Sequence, residues 1–424
     1  MTALAPFAVR SFRFQWPADL ATSWAFEMES LILGWYILSS TGSVQQLVTV
    51  AALVWLGSLF SPFLGWAGDR VGVRMILCAT RGAYALCAAA LMALTLTGAL
   101  QTWHVFVLAA INGLMRPSDM AMRNVLVAQT LRPELLMGAL GISRTTSDSA
   151  RIAGAIAGTA GVAFLGMGLA YAVVTALYVA AFLLSLNVGG SPPAGRGSST
   201  KVLADMRAAV RYVWSKDDLL GAFCLAFLVN LLAYPFTLGL LPFVAKEIIA
   251  VGQTGLGWLA GSFATGGLVG SLVVSAGTPR LRAARVMLWT GAAWFAGILL
   301  FGQTSSLAIA VTLLFLAGIV QSFCMTPLAA VMLRASSEEM RGRVMGLRML
   351  AIWGLPLGLL ASGPLIERFG FAATSFVYSG LGIAGTFAIG YAWRGALWRR
   401  NAPANLLNIE AQGRSPASGE PVRR

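Results

Sequence analysis

The chain has 424 residues, of which 58% are hydrophobic and only 11% are charged, and its mean hydropathy is +0.76. A soluble domain carries roughly 25% charged residues, so this composition excludes an ordinary water-soluble core. The net charge of +14 is a feature shared with nucleic-acid-binding proteins. Here, however, the basic residues lie at the ends of apolar segments. There they indicate membrane topology and contact with anionic lipid, and we expect no nucleic-acid partner.

Apolar segments long enough to cross a bilayer recur along the whole chain. A helix needs about 20 residues to span a hydrocarbon layer of about 30 Å. The sequence therefore predicts an all-α polytopic membrane protein with 12 transmembrane helices, arranged as two pseudo-symmetric six-helix bundles. The predicted segments are 17–39, 45–67, 74–97, 103–125, 136–163, 166–188, 218–241, 254–276, 284–303, 306–333, 343–365 and 371–394.

The charge in the connections between these segments alternates. Connections on one side are rich in arginine, whereas those on the other side carry only Lys246 and Arg368. Cationic loops stay on the cytoplasmic side of a membrane. We therefore expect a multi-pass protein of a bacterial inner (plasma) membrane, with both termini and the middle loop in the cytoplasm.

The middle loop separates two halves. It opens with glycine and proline, and then apolar residues recur at helical spacing against Arg207, Arg211 and Lys216, which is typical of a basic helix on a membrane surface. The last residues have too little apolar surface to fold alone. The predicted parts are an N-terminal half (1–188), a linker with an amphipathic helix (189–217), a C-terminal half (218–395) and a disordered cytoplasmic tail (396–424).

The turn between the second and third segments reads G-W-A-G-D-R-V-G-V-R. This closely resembles the G-x-x-x-D-R-x-G-R-R signature of the major facilitator superfamily, with valine in place of the first arginine of the final pair. The resemblance implies that the motif holds the two halves in one conformation; the alternative is a structural turn that only fixes topology. The motif residues are Gly65, Asp69, Arg70, Gly72 and Arg74.

Further stretches resemble the enterobactin-exporter-like branch of that superfamily. They are D-M-A-M-R at 119–123, R-P-E at 132–134, S-D-S-A-R-I-A-G at 147–154 and M-R-G-R-V-M-G at 340–346. The resemblance covers residues from about 16 to 395. It implies secondary active transport, commonly proton-coupled efflux by alternating access, and it names no substrate. It also implies a monomer.

Ionisable groups inside membrane helices are costly, so they usually face a cavity or a partner. Glu27 lies near the middle of the first segment, on one face with Ser23 and Ser30, and has no partner within its own helix. We hypothesise that Glu27 is the proton-coupling carboxylate, with Arg116 or Arg151 as its counter-charge. The alternative is that Glu27 is permanently paired and only fixes packing.

Asp119 is the second coupling candidate, and it is flanked by basic residues. In the fourth and fifth segments acids and bases are three or four residues apart, where they can neutralise each other within a helix. Glu29 is about 200° around the first helix from Glu27, and we expect it to reach the membrane surface or to contact the fifth segment. The predicted charge partners are Arg116, Arg123, Asp148 and Arg151.

The second half carries few charges in its membrane core. Trp258, Trp289, Trp294 and Trp353 supply large apolar surfaces, which suits a cavity for an apolar or amphipathic substrate. The alternative is that these rings pack helices or lie at the lipid interface. The predicted cavity residues from both halves are Ser23, Ser30, Asn112, Asn230, Tyr234, Gln321 and Met325.

Several function classes lack their sequence signatures. No lysine follows a glycine, which excludes a Walker A loop within the chain, and neither a G-x-S-x-G nor an H-E-x-x-H motif is present. We therefore expect no enzyme activity, no cofactor beyond the proton gradient, no metal site and no ATPase subunit. The sequence favours proton-coupled export of a small apolar or amphipathic molecule such as a drug, siderophore or metabolite. The alternatives are uptake or lipid flipping by the same fold, and a non-transporting membrane sensor.

Overall fold

The computed structural model describes residues 5–60, 71–189, 201–275, 283–337 and 340–397, and every regular element in these ranges is helical. The first half contains α1 (Arg10–Thr41), α2 (Val44–Leu53, continued by the 3-10 turn Leu56–Phe60), α3 (Val73–Leu96), α4 (Thr102–Thr130) and the run Pro133–Ser185. Gly166 interrupts that run with φ 78° and ψ 167°, which divides it into α5 (133–165) and α6 (167–185).

The second half begins with the linker helix α7 (Lys201–Trp214) and α8 (Asp217–Leu232). After α8 the chain continues through the π-helical turns Pro235–Gly239 and Val244–Ile248. The remaining helices are α9 (Gln253–Ser275), α10 (Ala283–Phe301), α11 (Leu307–Ala335), α12 (Arg341–Leu350), α13 (Gly354–Phe369), α14 (Phe371–Ala392) and α15 (Arg394–Leu397).

Within the described residues, eight helical stretches are long and apolar enough to cross a membrane. One of them covers 145–185 and therefore contains the break at Gly166. Helices α1 and α4 are also long, with 32 and 29 residues, but they carry several ionisable side chains. The predicted all-α polytopic fold is confirmed.

The outer surface of the bundle is apolar. Leu86 and Phe164 are among the most exposed large side chains, and Trp258 and Trp289 are also exposed. Contiguous exposed apolar surface of this kind marks contact with lipid. Trp258 and Trp289 thus lie on the outer surface, as the alternative interpretation expects, whereas Trp294 is fully buried.

Two faces of the bundle can be distinguished by which helix ends meet there. At one face the start of α1 meets the end of α6, where the Gly189 N–H donates to Ser11 Oγ over 3.1 Å. The end of the second half lies at the same level as the start of α8, because Leu397 packs against Gly221. We call this the linker face, since α7 lies there, and we call the other the opposite face.

The linker helix is attached to the second half through Tyr212. The Ser337 N–H donates to the Tyr212 hydroxyl over 2.9 Å, and Lys216 Nζ donates to the Ala335 carbonyl over 2.9 Å. A helix, Lys201–Trp214, is thus present within the predicted linker. Residues 190–200 of the predicted linker and the predicted disordered tail beyond 397 lie outside the described residues, and the predicted domain boundaries stay predictions.

The two halves touch at the opposite face. Lys246 Nζ, after α8, donates to the Leu38 carbonyl near the end of α1 over 3.2 Å. Gly363 of α13 packs directly against the Gln45 side chain at the start of α2. These contacts hold the helix ends of both halves together on that face.

Candidate functional site

Two aspartates and two arginines form a buried ionic cluster toward the linker face. Arg81 of α3 donates to Oδ1 of Asp19 in α1 and to Oδ1 of Asp119 in α4, the latter over 3.2 Å. Arg123 of α4 lies 2.6 Å from Asp119 Oδ2 and 3.5 Å from Asp19 Oδ1. Arg81 is completely buried, and both aspartates are nearly so. The four charges cancel within three helices.

Asp119 is thus doubly paired. Removing one partner of a buried ion pair costs about 3–5 kcal/mol, so this carboxylate is poorly placed to take up and release a proton. Sequence reasoning paired it with Arg123 but missed Arg81. An arginine in the interior of an apolar segment is itself the signal that would have identified Arg81. Ser23, a predicted cavity residue, accepts from Arg123 over 3.1 Å and belongs to this cluster.

Glu27 forms an ion pair with Arg151 of α5, with 3.7 Å between Glu27 Oε1 and Arg151 Nε. The side chains are 25% and 37% exposed, respectively. The pair depends on Gly154, where a Cβ atom would lie 2.8 Å from Glu27 Cβ, so only glycine lets α1 and α5 approach this closely. Glu27 is therefore paired with Arg151, one of the two counter-charges expected for it, and its side chain is only partly enclosed. Its coupling role stays a prediction.

Of the two glutamates of α1, Glu29 is the enclosed one. It is 4% exposed, and Oε2 accepts a hydrogen bond of 2.9 Å from the Tyr178 hydroxyl of α6. Asn112 Nδ2 of α4 lies 3.4 Å from Oε1. Within the described residues no lysine or arginine lies within 4.0 Å of Glu29. The expectation that Glu29 reaches the membrane surface or contacts the fifth segment is wrong, because α1 is rotated to turn this residue toward α4 and α6.

Glu29 lines a cavity of about 50 Å³ at the boundary between the halves. That volume has room for a few water molecules. The first half contributes Ser30, Asn112 and apolar side chains of α1, α2 and α4, and the second half contributes Leu238, Gly239 and Pro242. Two of the predicted cavity residues, Ser30 and Asn112, are therefore brought together around Glu29.

Arg116 lies one turn along α4 from Asn112. Its guanidinium carbon is 3.0 Å from the ring centroid of Phe26 and 4.8 Å from that of Trp55. Its Nε is buried without a hydrogen-bond acceptor. In the described part of the chain no carboxylate lies within 4.0 Å of Arg116, although Glu27 and Glu29 are close enough for a longer-range electrostatic interaction.

The cavity residues predicted for the second half fall into two groups according to their contacts. Gln321 Nε2 of α11 donates to the Tyr234 hydroxyl over 2.9 Å, and the Tyr234 ring packs edge-on against Trp294. Arg151 is close enough to Tyr234 for an electrostatic interaction across the boundary between the halves. Asn230, in contrast, donates to the Ala226 carbonyl within its own helix, and Met325 packs against the apolar core.

The remaining predicted residues lie away from the cavity. Asp148 is buried on α5. Gly72 precedes α3 with φ 98°, a backbone conformation that favours glycine, and Arg74 donates to the Leu186 carbonyl at the end of α6. Of the turn motif, Gly65, Asp69 and Arg70 lie outside the described residues. Within the described residues no group of three or more His, Cys, Asp or Glu side chains could hold a metal ion.

A family model described as Major Facilitator Superfamily matches residues 16–249, which is more than half of the chain. The chain belongs to this superfamily. The predicted membership is therefore confirmed at the level of the superfamily, and the enterobactin-exporter-like branch stays a prediction. No curated protein sequence is similar enough to the chain to count as a match.

Solved structures of superfamily transporters share the fold. The nucleoside transporter NupG has 15% sequence identity and a TM-score of 0.71, and the match covers 92% of this chain and 100% of that one. The peptide transporter POT in complex with sulfate has 12% identity and a TM-score of 0.73, with 92% and 95% covered. The human organic anion transporter MFSD10 has 16% identity and a TM-score of 0.65, with 90% and 99% covered. At these identities the likeness shows the fold alone.

Proposed function

We propose that this superfamily member is a secondary active transporter driven by the proton gradient, and that Glu29 is the group that carries the proton. The observation that carries the proposal is the enclosure of Glu29 at the boundary between the halves, where neutral donors surround it. Burying an isolated charge in low-dielectric surroundings is expensive. A carboxyl group in this position is favoured as the neutral acid when enclosed and as the carboxylate when water reaches it.

The surroundings of Glu29 support this role because, among the described residues that interact with it, Arg116 is the one ordinarily charged group. The ionisable groups near it from the packed helices are Tyr84, Cys87, Arg116, Tyr171 and Tyr178. Tyrosine and cysteine are ordinarily neutral at pH 7. Arg116 lies beyond ion-pair distance, so Glu29 is free of the direct pairing that fixes Asp119 and Glu27.

Alternating access supplies the motion. The cavity beside Glu29 is lined by both halves, so rocking of one half against the other changes the access of water to the carboxyl group. In this proposal the protein is a monomer in a bacterial inner membrane, with the linker face in the cytoplasm. The substrate is a small apolar or amphipathic molecule. It moves outward if the resemblance to exporters extends to direction.

Uptake is the second candidate direction, and one observation favours it. The Nε atom of Arg116 lacks an acceptor, and the charge of Arg116 is less compensated when Glu29 is protonated. A substrate that binds best to the protonated site moves in the same direction as the proton, which is inward under the usual gradient.

Reconstitution into liposomes tests proton coupling. Full-length protein is exposed to an imposed pH gradient, and flux of ethidium, norfloxacin and 2-naphthoate is followed in both directions. We expect gradient-dependent flux of at least one probe, lost on adding a protonophore and in Glu29→Gln. Glu367→Gln is the matched control, because Glu367 is an exposed carboxylate on α13.

Other outcomes contradict the proposal in distinct ways. Full gradient-driven flux in Glu29→Gln would exclude Glu29 as the proton carrier. If the flux is lost only in Glu27→Gln, Glu27 is the proton carrier. Binding of the probes without any flux would favour the non-transporting sensor.

A further inference from the structure

The guanidinium of Arg116 lies against aromatic rings, and its Nε–H group has no hydrogen-bond acceptor. The rings of Phe26 and Trp55 lie over it at 3.0 Å and 4.8 Å. These are cation–π contacts, in which the cation lies over the face of an aromatic ring. They provide no oxygen acceptor for the guanidinium. The N–H donors along the edge need oxygen acceptors in the guanidinium plane, and the buried Nε has none.

The two glutamates near Arg116 do not serve as the missing hydrogen-bond acceptor of its Nε. Glu27 is engaged by Arg151 at 3.7 Å. Glu29 accepts from Tyr178 and Asn112. In the described residues, Arg116 therefore interacts with acids only beyond 4.0 Å. Protonation of Glu29 removes one of the negative charges near its guanidinium.

The chemistry of a guanidinium edge selects its ligand. A carboxylate accepts two parallel hydrogen bonds from arginine, which gives both strength and a fixed orientation. A carboxylate monoanion matches the single charge of one guanidinium, whereas a phosphate dianion would bring a second negative charge close to Glu27 and Glu29. The neighbouring cavity is lined by apolar side chains that include Leu33, Val50 and Val54. These suit an apolar body attached to the carboxylate once the two halves move apart, since the cavity in this structure has room for only a few water molecules.

We propose that Arg116 binds the carboxylate of a small amphipathic monoanion, and that this is the substrate class of the transporter. The inference rests on the proposed function, since it assigns a substrate to the same site. Phe26 and Trp55 hold the guanidinium so that its edge faces the ligand. The neutral form of Glu29 strengthens binding of the anion, so proton and substrate bind together and are transported in the same direction, which corresponds to the uptake direction named above.

Binding measured without a gradient tests the substrate class by itself. Purified full-length protein in detergent is titrated with 2-naphthoate and 4-phenylbutanoate, each beside its primary amide, which has nearly the same shape without the charge. The readouts are equilibrium dialysis and the shift of the thermal unfolding midpoint, since a ligand that binds the folded state stabilises it. We expect at least one carboxylate to bind at least about tenfold more tightly than its amide.

Variants locate the preference. Arg116→Gln should abolish the difference between carboxylate and amide, and Arg116→Lys should weaken carboxylate binding because an ammonium lacks the planar fork. Phe26→Leu keeps the charge and should weaken binding several-fold, which provides a test if Arg116→Gln does not fold. Arg211→Gln, on the linker helix, is the control and should bind as the parent protein does.

The inference is overturned if neither carboxylate binds better than its amide, or if the preference survives in Arg116→Gln. Its failure is distinct from failure of the proposed function. Gradient-driven flux of ethidium that depends on Glu29, without any carboxylate preference, would remove the substrate assignment and leave proton coupling intact.

Discussion

The hydroxyl of Tyr178 donates a 2.9 Å hydrogen bond to Glu29, which joins α6 to α1 in the middle of the first half. The Tyr178 ring packs against Tyr84 of α3 at a centroid distance of 5.4 Å, so the donor is held in place from a third helix. The geometry of Glu29 is therefore set by helices on two sides.

Tyr178→Phe removes this donor and keeps the ring. We expect transport to slow by about tenfold, because a hydrogen bond to a charged group contributes about 1.5–3 kcal/mol and Glu29 loses its orientation. Initial rates in liposomes check this. Tyr391→Phe, an exposed tyrosine on α14, is the control, and equal rates for parent and Tyr178→Phe would show that the hydroxyl does not position Glu29.

Arg81→Met breaks the buried ionic cluster. Two aspartates then lose a partner in low-dielectric surroundings, and we expect a loss of about 3–5 kcal/mol in stability. Thermal unfolding of the detergent-solubilised protein measures it. Arg368→Met changes an exposed arginine on α13 and should leave the midpoint unchanged.

The double variant Asp19→Asn with Arg81→Met distinguishes a charge effect from a packing effect. Removal of one aspartate together with the arginine leaves Asp119 paired with Arg123, so stability should recover in part. If the double variant unfolds at the same temperature as Arg81→Met alone or below it, packing and not charge explains the loss.

Lys246→Met weakens the contact between the halves at the opposite face. The donor to the Leu38 carbonyl is lost, and a contact of about 1 kcal/mol corresponds to a roughly fivefold change in a two-state equilibrium. Gln45 lies against Gly363 at this face. A cysteine introduced there by Gln45→Cys should react several-fold faster with a maleimide in the Lys246→Met background than in the parent background. Lys216→Met is the control, and unchanged labelling would show that this lysine does not hold the face closed.

The pKa of Tyr212 predicts a pH-dependent attachment of the linker helix. Hydrogen bonding to Lys216 is the largest cause, and hydrogen bonding to Ser337 the next, of the lowering of the phenol pKa from 10.0 to about 8. Because the folded-state pKa is depressed, the added stabilisation is fully present above pH 10 and is lost as the pH falls through 8. Tightening of the contact between α7 and Ser337 is therefore expected as the pH rises from 8 toward 10.

The near-ultraviolet absorbance is titrated for the parent protein and for Tyr212→Phe. The difference between the two curves isolates the Tyr212 phenol from the other tyrosines. We expect one phenol that titrates near pH 8, and Lys216→Gln should move its midpoint upward. A midpoint near 10 in the parent protein would mean that the interaction with Lys216 is absent in solution.

The helices of the fold were predictable because length and hydropathy alone determine them. The predicted segment 74–97 corresponds to Val73–Leu96, and the predicted gap between 163 and 166 meets the break at Gly166. Hydropathy fixes where a helix crosses because the hydrocarbon layer has a set thickness, and that argument needs no knowledge of neighbouring helices.

The site was only partly predictable, because the rotation of a helix is set by its neighbours. The sequence favoured Glu27, which shares a face with Ser23 and Ser30, over Glu29. The helix period separates the two glutamates without showing which one turns inward. The close approach at Gly154 turns Glu27 toward Arg151 and so leaves Glu29 to face Tyr178. Arg81 was missed because its two acidic partners come from other helices.

The cluster of Asp19, Arg81, Asp119 and Arg123 also restricts how protons travel. It lies between the linker face and Glu29, and each of its carboxylates is bound to a guanidinium, a group that does not give up its proton in proteins. The cluster therefore offers no carboxylate that is free to pass a proton from the linker face to Glu29. If Glu29 carries the proton as proposed, it exchanges that proton through the cavity between the halves, and proton movement is then tied to a change in shape of the whole molecule.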